Sequence, residues 1–66
     1  MSDYLDSIFE EALLKKNRGI LETTIIIYRQ EAERLEPNQI TEMFDLADRI
    51  EIMESLVHEL LIPTES

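Results

Sequence analysis

The sequence predicts an all-α protein: a short helical hairpin with helices at about 3–16, 20–35 and 37–61, packed as a bundle and completed by dimerisation. Three observations predict it. Met43, Leu46, Ile50, Met53, Val57 and Leu60 recur alternately three and four residues apart, the spacing that draws one apolar seam along a helix facing another helix. The junction Leu35-Glu36-Pro37-Asn38-Gln39-Ile40 combines a helix stop with a helix start. The β-branched run Thr23-Thr24-Ile25-Ile26-Ile27-Tyr28 has no second strand candidate to pair with.

The first helix begins at Ser2 or Asp3, either of which can accept a hydrogen bond from an orphan amide of the first turn. Leu5, Ile8, Phe9, Ala12 and Leu13 form its apolar stripe, with Asp6, Ser7, Glu10 and Glu11 largely on the other side. Lys15-Lys16-Asn17-Arg18-Gly19 then offers more than one turn with nothing to bury. The basic residues suit a helix C-terminus and Gly19 suits a left-handed cap, so a break is expected there. At about 100° per residue, the first stripe and that of Leu21, Ile25, Tyr28, Ala32 and Leu35 are out of phase by roughly 150°, which one straight helix could not reconcile with a single core. The competing topology is one continuous helix through residues 3–35, with Gly19 tolerated inside it.

In the second helix the helical stripe overrides the β-branched propensity, with Ile26 pointing away from that stripe and Ile27 on its flank. Pro37 suits the first helical position and Gln39 the third, from which its side chain reaches back to the Glu36 amide. Proline also pushes Glu36 out of helical geometry, ending the second helix by about Leu35. So short a link folds the two helices into an antiparallel pair. The last helix stops before Pro63, and residues 63–66 form a frayed tail of the single small domain 1–66.

At this length, burial and chain entropy nearly cancel, and with no cysteine the expected remedy is association, through the seam of Met43, Leu46, Ile50, Met53, Val57 and Leu60. Fifteen carboxylates against six basic side chains give a formal charge of −9, which repels nucleic acid and anionic membranes. No apolar run approaches the ~18 residues of a membrane span, and the acidic start does not suit a secretory signal. A cytoplasmic protein without direct nucleic-acid or membrane contact is expected.

The residues offer little for catalysis. His58 with Glu54 gives two ligands on one face where a closed zinc site needs about four, and Ser55 stands where the Glu-x-x-His pattern of di-iron bundles needs its glutamate. Carboxylate pairs such as Asp45 with Asp48, or Glu51 with Glu54, could act as acid and base only in a desolvating cleft. No catalytic, cofactor or metal residues are assigned, and a non-enzymatic role is expected. Phe44 and Ile52 emerge opposite the seam and, with Ile26 and Ile27, are the candidate contacts for a protein partner. Asp45, Asp48, Glu51 and Glu59 form a candidate acidic surface. These features favour a small acidic interaction module: an adaptor, inhibitor or chaperone-like regulator. The alternatives are an acidic nucleic-acid mimic that blocks a DNA-binding protein and a small RNA-binding hairpin dimer using Lys15, Lys16 and Arg18.

Overall fold

Where the non-apolar run from Lys15 to Gly19 interrupts the apolar pattern, the backbone ends one helix and starts another. The computed structural model describes residues 3–61 and contains α1 (Asp3–Lys15), α2 (Arg18–Arg34) and α3 (Ile40–Leu61). The expected helix start at Ser2, the stop at Pro63 and the frayed tail lie outside the described residues.

The break is where the pattern placed it, but a different residue makes the turn. Lys16 takes the left-handed conformation, with a φ of 49°, and its amide donates to the Ala12 carbonyl at 3.1 Å. Gly19 has no positive φ and already lies in α2. The cause is Asn17, whose extended backbone and side-chain oxygen, accepting from the Ile20 amide at 3.1 Å, make it the N-cap of α2. Capping at Asn17 starts α2 at Arg18, so the reversal that closes α1 has to fall on the residue before the cap.

The second junction also starts its helix later than the proline signal suggested. Leu35 is already extended, at φ −70° and ψ 144°, so α2 ends at Arg34. The Gln39 amide closes a turn on the Glu36 carbonyl at 2.9 Å, with Pro37 and Asn38 inside it. Pro37 therefore serves a turn rather than the first helical position, a role its fixed φ fits equally well. The expected reach-back is present: the Gln39 side-chain oxygen accepts from the Glu36 amide at 2.8 Å. The Gln39 carbonyl accepts the first helical bond of the new helix, from Met43 at 3.1 Å.

Helix α2 is the central element, packed on α3 along one side and on α1 along another. The core consists of Leu21, Ile25 and Tyr28 from α2, Leu46 and Met53 from α3, and Leu5 and Ala12 from α1. Ala12 is fully buried, and so small a side chain lets α1 approach closely. Thr24 is buried too, and its hydroxyl donates to the Ile20 carbonyl at 2.7 Å, which removes the cost of a polar group in the core. Leu46 and Met53 at the centre of the α3 seam are spent on the chain's own core, Ile50 and Val57 are half-buried against it, and Met43 and Leu60 at the ends stay exposed.

Helix α1 packs antiparallel against α2. The Leu5 carbonyl lies at Tyr28, while Ile8 and Glu11 border a groove with Gly19, Ile20, Thr23 and Ile27. So α1 runs back along α2 from its start to at least Tyr28. Towards the bend, Ala32 and Leu35, expected in the core stripe, are only half-buried.

A left-handed lysine is strained by contact of its Cβ with the following carbonyl, a cost of about 1 kcal/mol that glycine avoids. Lys16→Gly should therefore raise the melting temperature, while Asn17→Ala should lower stability by about 1 kcal/mol through loss of the cap. Thermal denaturation followed by circular dichroism checks both. A lower melting temperature for Lys16→Gly would contradict the left-handed assignment.

Candidate functional site

A tyrosine whose hydroxyl leaves water needs a partner for it, and Tyr28 is completely buried. Its hydroxyl donates to the Leu5 carbonyl at 2.6 Å and accepts from Arg49 Nη1 at 2.9 Å. The same Arg49 nitrogen lies 2.7 Å from Asp6 Oδ1, and the guanidinium sits over the Phe9 ring, 4.9 Å from its centroid. The Phe9 and Tyr28 rings are tilted against each other with centroids 6.1 Å apart. One arginine from α3 thus holds α1 through a carboxylate and a ring, and α2 through a hydroxyl. Asp6, expected on the solvent side of α1, turns to α3 to make this pair.

Burial pushes the Tyr28 phenol above its ordinary pKa of 10.0, and the hydrogen bond from Arg49 and its charge offset part of that rise. Tyr28 in turn is the first cause holding the Arg49 guanidinium above its ordinary value, with Asp6 adding to it against burial. The cluster was missed in the sequence, though two signals for it were present. Tyr28 lies on the core stripe of α2, and Arg49 falls at the edge of the α3 seam, three residues after Leu46 and four before Met53.

With Arg49 turned inward, the outward charge of α3 is dominated by carboxylates, since Arg49 is the one lysine or arginine in that helix. Asp45, Asp48, Glu51 and Glu59 are all exposed, as expected, and share the face opposite the seam. Glu54 is engaged by Arg29 across the α2–α3 pair rather than by His58. Among the described residues no group of three or more His, Cys, Asp or Glu side chains could hold a metal ion. No helix there is long and apolar enough to cross a membrane. In the basic cluster Lys15 pairs with Glu11 at 3.6 Å and Arg18 with Glu22 at 3.2 Å, so its charge is largely met within the chain.

The four candidate partner contacts do not form one patch. Ile27 is half-buried in the groove between α1 and α2, while Ile26, 56 % exposed, lines a separate groove with Ile25 and Val57. Phe44 is 68 % exposed and Ile52 46 %, but eight residues along a helix separate them by about 12 Å and roughly 80°. Phe44 instead belongs with Ile40, Met43 and Ala47, every one exposed and spaced i, i+3, i+4 and i+7 over the first turns of α3. This second stripe lies roughly 100° around the helix from the buried seam. It faces away from Arg49 and so from α1. No protein-family model, curated protein or solved structure matches the chain.

Two measurements test the Tyr28 cluster. Tyr28→Phe should cost about 1–2 kcal/mol, because the buried hydroxyl's bonds to the Leu5 carbonyl and to Arg49 are both lost. The folded phenol is harder to ionise than the unfolded one, so from about pH 10 upward the unfolded chain binds fewer protons and stability falls until the folded phenol also ionises. Denaturant unfolding at increasing pH should show that slope in the wild type and a shallower one in Tyr28→Phe. Equal slopes would contradict the raised phenol.

Proposed function

We propose that the protein is a small acidic, non-enzymatic interaction module, an adaptor, inhibitor or chaperone-like regulator, that binds another protein through the exposed apolar stripe of α3. The observation that carries this reading is that stripe itself. Ile40, Met43, Phe44 and Ala47 have the spacing of helical anchor positions, and the core of the chain uses none of them. Isolated exposed apolar side chains are ordinary on protein surfaces; a continuous row of four on one helical edge is what a docking face requires.

A second reading is favoured by a separate observation. The exposed carboxylates Asp45, Asp48, Glu51 and Glu59 share one face from which the only arginine of the helix is withdrawn, which supports an acidic mimic of nucleic acid. The two differ in how affinity is obtained. A mimic binds through charge, loses affinity steeply in salt and competes with DNA, whereas an apolar anchor does neither.

The test is affinity capture of tagged protein from the cells that express it, run in parallel for the wild type and for Phe44→Ala. The wild type should retain a stoichiometric partner, and the variant should lose about 2 kcal/mol of affinity or more, enough to deplete that partner from the eluate. Equal recovery by both proteins, or release of the partner by added DNA, would contradict the apolar reading.

A further inference from the structure

The charge around the α3 stripe identifies the kind of partner that fits it. Asp48 lies one turn beyond Phe44 and Glu51 one turn beyond Ala47, so the apolar row of Ile40, Met43, Phe44 and Ala47 runs directly into exposed carboxylates. Neither acid has an ion partner among the described residues, whereas nearly all the chain's positive charge is already committed. Lys15 is paired with Glu11, Arg18 with Glu22, Arg29 with Glu54, Arg34 with Glu31 and Arg49 with Asp6. Lys16 is the sixth and last basic side chain. A second copy of this chain therefore brings a net charge of −9 and almost no uncommitted cation to the face. Like charge set against like on that border opposes self-docking there.

Resting on the reading of the α3 stripe as the binding face, we infer that its occupant is a cationic amphipathic helix of another protein. Its apolar side packs on Ile40, Met43, Phe44 and Ala47, and its lysines or arginines meet Asp48 and Glu51. Apolar anchoring supplies the affinity, and the carboxylate border selects basic helices over acidic ones of the same apolar pattern.

The probe is a fluorescent synthetic peptide of about 14 residues, roughly four helical turns, with leucines at i, i+3, i+4 and i+7 positions and lysines elsewhere. Two controls of equal length replace the lysines by glutamates or the leucines by serines. Binding is read by fluorescence anisotropy against the wild type, Phe44→Ala and the double variant Asp48→Asn with Glu51→Gln, with circular dichroism confirming that each is folded. The leucine–lysine peptide should bind the wild type, bind Phe44→Ala about tenfold more weakly and bind the double variant several-fold more weakly. The glutamate and serine controls should not bind measurably.

Each other outcome overturns the proposal in its own way. Equal binding of the lysine and glutamate peptides removes the cationic assignment while leaving the apolar face in place. Binding of the leucine–lysine peptide that Phe44→Ala leaves unchanged places contact on the acids alone and removes the apolar face as well. Absence of binding, or a wild-type dimer in sedimentation that Phe44→Ala dissociates, assigns the face to something other than a cationic helix.

Discussion

The bonding of one buried hydroxyl underlies the arrangement of all three helices. Tyr28 is excluded from water at the centre of α2, and its oxygen is satisfied from both sides, by the Leu5 carbonyl of α1 and by Arg49 of α3. Either partner missing would leave a buried polar group short of a bond, a larger penalty than the net worth of an ordinary hydrogen bond. Because Arg49 also engages Asp6 and covers Phe9, the contacts that tie α1 to α3 converge on this one side chain. The remaining ion pairs, Lys15 with Glu11, Arg18 with Glu22, Arg29 with Glu54 and Arg34 with Glu31, are exposed and each contribute little to stability.

The same arginine links the fold to the surface. A guanidinium drawn inward to satisfy Tyr28 and Asp6 is withdrawn from the exterior of α3, which is left to Asp45, Asp48, Glu51 and Glu59. Helix α1 returns along α2 as far as Tyr28 and meets Arg49, while Ile40, Met43 and Phe44 emerge on the opposite side of α3. The apolar stripe thus lies on the side of α3 turned away from Arg49 and α1.

Periodicity made the helices legible in the sequence, but not the polar contacts that orient them. The α3 spacing and the phase slip between the first two stripes were sufficient for three helices and for a break between Lys15 and Gly19. Gly19 drew the cap assignment because glycine is the usual left-handed residue. The competing signal, Asn17 as an N-cap, moved the reversal to Lys16. Pro37 fits a turn and a helix start equally well, and the Gln39 contacts decide between them. The Arg49 cluster joins residues 21 and 43 positions apart, a separation at which local pattern carries no information. Of the surface residues singled out, Phe44 stands on a continuous stripe because Ile40, Met43 and Ala47 accompany it, whereas Ile26, Ile27 and Ile52 are dispersed over separate surfaces. That grouping depends on which residues the core leaves exposed, which the packing of the helices decides.

The most direct test of this account is native-state hydrogen exchange on Arg49→Met, a change that keeps much of the side chain's length and removes its donors. If Arg49 anchors α1, amides of α1 should lose protection by about tenfold or more relative to the wild type, while those at the centres of α2 and α3 change far less, as expected when one helix opens locally from an intact hairpin. Unchanged protection in α1, or an equal loss across all three helices, would contradict the claim that this arginine holds the first helix in place.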